Sequence, residues 1–387
     1  MKIAIVHRDL HQLTRGGICT VYRNVAAQLV KQGHQIVFVT QQTPTPLTPM
    51  KDVSVVVLPR TNDLPAHRRA VDEALNRIEV DIVEASSWEA EVHDYAMRPL
   101  HQRVPVVVRA DLSARTMGLS VHAEFEDRLI RAAEAVTAVG RWTGEDILSA
   151  YGVRAEVIPN GVDRDFFRPG PAFCPLHSGN IVDLKAREPE RGKVTSSRSI
   201  AEHAPDTDTL WNRLAGPGEE GLPRMVWVGK ATEMKGWDLL QQVAAVFRGK
   251  ALFTVVIGHG WFEYDITLGH EPHVQTLQDL DASDLLAVYR SSDWVLSTSR
   301  WEGFHLSFAE ALSCEVPGLA PEHLGAAHDL LTHGRNGLFY RDAEHLVELM
   351  ASGVELRGSL APEFDWAGNA SQSARLYTRI LTEKGQN

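Results

Sequence analysis

The feature that most restricts this chain is an alternation of short, apolar, β-branched runs with amphipathic stretches, running through two separate parts of its 387 residues. IAIV (3–6), QIVFVT (35–40), VSVVVLP (53–59), DIVEAS (81–86) and VPVVVRAD (104–111) each read as a strand. Helical spacing fills the gaps at 18–31, 66–78, 125–135 and 143–151, and AVTAVG (135–140) and AEVIPNG (155–161) close this half. Strands that are apolar throughout, separated by helices, are expected in a parallel sheet covered on both faces. The same pattern restarts with MVWVG (225–229), LFTVVIG (252–258), HVQTL (273–277), WVLSTS (294–299) and VPGLA (316–320). Its helices are expected near 237–247, 283–291, 307–313 and 343–351. The expected fold class is α/β, with two Rossmann-like doubly wound domains.

Residues 171–222 break the rhythm. They are rich in Pro, Gly, Ser and charge, with weak apolar patches only at 180–182 and 209–214, and read as an interdomain insertion. Composition narrows the partners. With 39 basic against 50 acidic side chains, a net charge of −11 argues against broad binding to nucleic acid or to anionic membranes. No run approaches the roughly 20 apolar residues of a membrane span, so no stable membrane insertion is expected. Three dispersed cysteines with no C-x-x-C pair offer neither a zinc ribbon nor a disulfide framework, and a cytoplasmic location is expected.

Three elements carry candidate chemistry. Gly16-Gly17 stands directly before a helix, where backbone can approach an anion; it is not G-x-G-x-x-G. Lys230 and Lys235 straddle a strand-to-helix loop and suit a pyrophosphate, although the spacing equally describes two solvated lysines. The third element runs from Ser299 through Glu302, Gly303, Phe304, His305 and Leu306 to Glu310, again strand, loop and helix. Backbone N–H groups of Phe304, His305 and Leu306 can hold phosphate there, and Glu310 can accept from vicinal ribose hydroxyls. His323, His328 and His333 recur every five residues, which is neither helix nor strand period, and no metal site is expected from them.

These motifs, in this order, resemble the GT-B glycosyltransferases of the large retaining family 4. The match includes the Gly-Gly loop, VIPNGVDRDFF (157–167), VGKATEMKGWDLL (228–240), an E-x7-E pair at Glu302 and Glu310, EALSCEVPGLA (310–320), and a terminal segment FDWAGNASQSARLYTRIL. The resemblance implies two Rossmann-like domains facing across a cleft: 1–170 for the acceptor, 223–365 for a nucleotide-sugar donor, and a helix over about 366–387 packing back on the first. It assigns the donor pyrophosphate to Lys230 and Lys235, with Lys230 where arginine is usual. Glu302 falls near the donor sugar, Glu310 on the ribose, and Gly17 beside the diphosphate. Asp111 stands where relatives have a histidine, with Arg109 in its usual place, and Asp329 aligns with a loop glutamate. Trp88, Glu89, Glu91 and Arg109 are candidate acceptor contacts. The implied reaction moves a sugar, with retention, from a nucleotide sugar to an acceptor hydroxyl; it needs no metal and no cofactor beyond the co-substrate. The helix after Gly17 carries few cations, so a small soluble acceptor is expected. The acids near the acceptor side suggest an aminocyclitol. Other readings are a transferase of cell-envelope polysaccharide or glycolipid synthesis, a sugar-nucleotide epimerase, and a non-catalytic nucleotide-sugar-binding protein.

Overall fold

The computed structural model describes residues 1–10, 17–43, 49–172, 207–212, 214–258, 263–264, 271–278 and 280–385. The chain forms two compact units, Met1–Gly161 with Pro362–Asn387, and Val162–Ala361.

In the first unit the elements are β1 (Lys2–Val6), α1 (Gly17–Lys31), β2 (Gln35–Gln41), β3 (Val53–Leu58), α2 (Leu64–Leu75), β4 (Ile82–Ser86), α3 (His93–Ala96), β5 (Val106–Ala110), α4 (Ser120–Ala132), β6 (Ala135–Ala138), α5 (Arg141–Tyr151) and β7 (Glu156–Val157). The strands form one sheet in the order β3-β2-β1-β4-β5-β6-β7, parallel at every pair. Residues of β1, β4 and β5 are almost all fully buried, as strands covered on both faces must be. The outer strand β3 departs from that expectation. Val55 and Val57 are 39% and 52% exposed, because an edge strand has a neighbour on one side only.

The second unit contains α6 (Thr207–Asn212), β8 (Arg224–Gly229), α7 (Trp237–Val246), β9 (Leu252–Ile257), β10 (Val274–Gln278), α8 (Ala282–Arg290), β11 (Trp294–Leu296), α9 (Leu306–Ser313), β12 (Gly318–Pro321), α10 (Gly325–Leu330), β13 (Gly337–Tyr340) and α11 (Ala343–Ala351). Its parallel sheet runs β10-β9-β8-β11-β12-β13. The apolar periodicity did not single out β13 or α10, and marked α6 only as a weak apolar patch at 209–214. Of the insertion expected at 171–222, residues 173–206 lie outside the described residues. Beyond them, Trp211 and Leu214 are buried against Leu252 of the second unit. Trp211 also donates from Nε1 to Ser291 Oγ at 2.9 Å.

The last helix, α12 (Trp366–Gly385), belongs to the first unit and packs on α1. Its entry explains the glycine of VIPNG. A Cβ at Gly161 would stand 2.4 Å from the Trp366 nitrogen, so only glycine lets the two segments approach. Asn369 then donates from Nδ2 to the Pro159 carbonyl at 2.7 Å. Deeper, Arg109 on β5 donates to Glu84 Oε1 on β4 at 2.7 Å and to Ser373 Oγ at 3.1 Å, and the Tyr377 hydroxyl donates to Glu84. A buried ion pair thus ties the middle of the sheet to α12.

Both sheets reverse their winding at one place: between β1 and β4 in the first unit, and between β8 and β11 in the second. Loops leaving the carboxyl ends of those strands diverge, and ligands of open α/β sheets bind in the resulting crevice. The residues that follow β1, β4, β8 and β11 stand at these two reversals.

Candidate active site

In the second unit, the loop after β8 brings Lys235 to Glu302, on the loop after β11. Lys235 Nζ donates to Glu302 Oε1, and Ser299 Oγ donates to the same oxygen at 2.8 Å. Among the described residues, both of these bonds go to Oε1. Burial pushes the Glu302 carboxyl up, but the Lys235 charge and these bonds outweigh it and hold it below its ordinary value. His305 lies 3.7 Å from Glu302 Oε1 and shares a 3.0 Å hydrogen bond with Ser297 Oγ. Burial lowers His305 to about 4, against the pull of Glu302 and with the repulsion of Lys235, so the imidazole is neutral at pH 7.

The position of Lys235 is set by backbone. Trp227 Nε1 donates to Thr298 Oγ1 at 2.9 Å, and Thr298 Oγ1 donates to the Lys235 carbonyl at 2.9 Å. Gly236 has φ 61°, and a Cβ there would stand 1.9 Å from the Thr298 carbonyl oxygen. Only glycine allows this crossing. Lys230 opens the same loop and is half-buried, and no described acid pairs with it. Burial, and then the charge of Lys235, lower its pKa. Two ammonium groups, one of them unpaired, make a locally cationic site in an acidic chain.

Leu306 begins α9, with His305 as its capping residue and Phe304 just before. Glu310 lies one turn further along, and the Tyr289 hydroxyl of α8 donates to its Oε2 at 3.3 Å. Asp329 lies in the short helix α10. The three regularly spaced histidines are separate. His328 stacks on Phe339 at 4.2 Å, His333 Nδ1 accepts from the Phe339 N–H, and exposed His323 lies beside Arg300, Trp301 and Asp238. Among the described residues no group of three or more His, Cys, Asp or Glu is placed to hold a metal ion.

In the first unit, Gly17 opens α1, and Gly16 lies outside the described residues. Asp111 follows β5, is half-buried, and accepts from Ser86 Oγ at 3.3 Å. Burial raises its carboxyl to about 6, against the opposing effects of Ser86, Arg109 and His7. The loop beyond it is fastened by buried acids: Asp146 accepts from the Ser113 N–H at 2.7 Å, and Glu126 from the Ala114 N–H at 2.7 Å. Glu89 is held by Arg8, whose Nη1 donates to Oε2 at 2.8 Å, and Trp88 stacks on His122 at 5.8 Å.

Two of the expected acceptor contacts are buried and held by other side chains. Arg109 is 2% exposed and engaged by Glu84 and Ser373. Glu91 is 1% exposed and accepts from His7 Nδ1 and His67 Nε2, each at 2.7 Å. The reason is topological: parallel strands carry charged partners from distant sequence to adjacent positions, where they neutralise each other out of water.

Two family models match the chain in sequence. Glycosyltransferase Family 4 covers residues 15–166, and Glycosyl transferases group 1 covers residues 222–355. The chain belongs to this family of GT-B glycosyltransferases. Solved structures share the fold across their length. Sucrose-phosphate synthase from Thermosynechococcus elongatus is 15% identical, with TM-score 0.67, over 100% of this chain and 97% of that one. HepE of Anabaena, solved in complex with UDP-glucose, is 17% identical, with TM-score 0.66, over 100% and 98%. The catalytic domain of starch synthase IV from Arabidopsis thaliana, bound to ADP and acarbose, is 14% identical, with TM-score 0.64, over 98% and 99%. No curated protein matches in sequence.

This glycosyltransferase also contains site residues that the motifs passed over: Ser297 beside His305, and His7, Arg8 and His67 around Glu89 and Glu91. Strand-end position was their signal. His7 comes directly after β1 and Ser297 directly after β11, both at a winding reversal. Among the described residues no helix of the glycosyltransferase is long and apolar enough to cross a membrane.

Proposed function

We propose that the enzyme transfers a sugar, with retained anomeric configuration, from a nucleoside diphosphate sugar to a hydroxyl of a small, soluble, amine-bearing acceptor of aminocyclitol type. The observation that carries the donor reading is Lys230: a half-buried ammonium with no described acidic partner, set beside a second ammonium, is stabilised by an arriving polyanion. HepE, which shares the fold, binds UDP-glucose, and this supports a nucleotide-sugar donor.

Breaking the anomeric C–O bond passes through an oxocarbenium-like state while negative charge gathers on the departing diphosphate. Lys230 and Lys235 stabilise that charge, and their fixed positions mean that little reorganisation is needed. Glu302 holds Lys235 through Oε1 and offers Oε2 to a sugar hydroxyl. Neutral His305 adds no positive charge at the developing cation. Glu310 takes the ribose hydroxyls, and the backbone at Phe304, His305 and Leu306 approaches phosphate and sugar. No step calls for a metal. The acceptor proton passes to the leaving phosphate oxygen on the same face. Asp111, in the first unit, pairs with the acceptor's ammonium, with Glu89 and Trp88 nearby, and the reaction is placed in the cytoplasm.

The test is a panel of UDP-, GDP- and dTDP-sugars against polyhydroxylated amines, read by mass spectrometry, with the anomeric configuration of the product read by NMR. An inverted product refutes same-face attack. Lys235→Ala is expected to remain folded and lose turnover by about 10²–10³-fold, the scale of deleting one preorganised charge-stabilising group. Near-native turnover refutes the donor assignment.

A further inference from the structure

His7 stands at the carboxyl end of β1, beside the winding reversal of the first sheet and before the span matched by the Family 4 model. Its side chain is enclosed by three elements. Glu91, after β4, takes its Nδ1 at 2.7 Å; Tyr22 of α1 lies 6.4 Å away between ring centroids; and Glu91 is in turn held from α2 by His67. The residue is 8% exposed, yet no described group bonds to its Nε2, and that nitrogen is not fully enclosed.

The hydrogen-bond chain determines which nitrogen is which. Gln41 Nε2 donates to the Thr61 carbonyl at 3.2 Å and to His67 Nδ1 at 2.9 Å. With that orientation His67 Nδ1 is an acceptor, and its proton sits on Nε2, aimed at Glu91 Oε2. Glu91, ionised and held down at about 2 despite its burial, accepts also from His7 Nδ1–H. His7 is therefore fixed with its proton on Nδ1, so that in the neutral form Nε2 presents a lone pair. A carboxylate-anchored imidazole with an open Nε2 is built to accept a hydrogen bond.

The neighbourhood adds a second reason. The Tyr22 hydroxyl is fully buried and unpaired, and Arg109 Nη1 is likewise without a partner. Asp111 is near enough for its charge to be felt at both Tyr22 and His7. The loop that carries Glu91 is held in an unusual shape, with Glu89 at φ 58° and Ala90 at φ 48°. Arg68 secures it by donating to the Glu89 carbonyl at 2.5 Å while stacking on Phe125 at 3.9 Å. Positive φ at two consecutive non-glycine residues persists only where surrounding bonds impose it.

We propose that His7 is an acceptor-binding residue: its Nε2 accepts a hydrogen bond from an acceptor hydroxyl while Asp111 takes the acceptor's ammonium, and Glu91, His67 and Gln41 act as a positioning chain behind it. This rests on the acceptor reading above and extends it from the amine to a hydroxyl. A pH dependence follows. Burial lowers the His7 pKa, but Glu91, and then Asp9 and Glu89, raise it to a net value above 6.5. The other charged groups around it are Asp111 and Arg8. Below that pKa the imidazolium donates instead of accepting, so acceptor affinity falls as pH drops.

The test uses 2-deoxystreptamine as the acceptor probe and UDP-glucose as the donor, with GDP- and dTDP-glucose as alternates. His7→Gln is expected to raise the KM for 2-deoxystreptamine at least tenfold, with the donor KM moving less than twofold, and to abolish the acid limb above pH 6.5. Glu91→Gln removes the charge, so it shifts that limb to lower pH; its amide NH2 also meets one of the two imidazole N–H groups donor to donor, so the acceptor KM at pH 8 rises as well, by less than in His7→Gln. Either an unchanged acceptor KM in His7→Gln or an unmoved limb in both variants overturns the proposal. If the wild type hydrolyses a nucleotide sugar but neither binds nor glycosylates 2-deoxystreptamine, the acceptor proposal fails and the donor reading stands. If no nucleotide sugar is bound or turned over, the donor reading fails first.

Discussion

Replacing Lys230 by methionine separates the two things this lysine does. Its ammonium is half-buried, has no described acidic partner, and is repelled by Lys235. In the free enzyme the charge is therefore unfavourable, while the aliphatic stem packs acceptably. Lys230→Met keeps the stem and removes the repulsion, a relief of about 0.5–1 kcal/mol at a partly solvated site. For a domain of this size that raises Tm by about 1–4 °C. A lysine whose pKa is lowered by folding destabilises the fold fully while both states are protonated; that effect declines as pH rises from the lowered value and is gone above the ordinary lysine value. The stability gain is thus present at pH 7 and disappears at high pH. Donor affinity moves the other way. Loss of one charge-assisted contact to a phosphate costs about 1.5–3 kcal/mol, or about 10- to 150-fold in Kd. Calorimetric titration with UDP, paired with thermal melts, measures both. UDP at about 100 times its wild-type Kd adds about 2.7 kcal/mol to the wild type and much less to the variant. A variant that is less stable, or that binds UDP as tightly as wild type, refutes the reasoning.

Asp111→Asn is expected to remove an acid limb near pH 6 from kcat/KM for an amine acceptor, because the carboxyl is ionised only above about 6; a limb that survives the change assigns it elsewhere. Arg109→Met strands Glu84 in the sheet interior with only the Tyr377 hydroxyl, at a cost of about 3–5 kcal/mol, and urea titration shows whether the midpoint falls accordingly. Adding Glu84→Leu recovers most of that loss, since two apolar side chains leave no uncompensated charge. Gly236→Ala forces the loop away from the Thr298 carbonyl, so donor affinity is expected to fall at least tenfold with α7 still folded by circular dichroism; wild-type affinity contradicts the close approach.

The sheet rhythm, the α/β class, the loops that carry Lys230, Lys235 and Glu302, and the helix that bears Glu310 were legible along the chain, because strands, helix starts and glycine turns are local patterns. Gly16 and residues 173–206 of the expected insertion lie outside the described residues. Short elements such as α10 and β13 were not legible, since a few apolar residues fit strand and loop equally until a neighbour pairs with them.

What the sequence determined by itself is the order of elements and which strand ends bear ionisable groups. Only the tertiary structure decided which groups meet: His7 with Glu91, 84 residues on, and Arg109 with Ser373, 264 residues on. Glu89 and Glu91 are two residues apart on one loop. One stays near the surface beside Arg8, while the other is enclosed between two histidines. The physical reason is that a side chain's charge state and availability depend on what is packed around it. In a parallel sheet those neighbours arrive through crossover connections that no local spacing records.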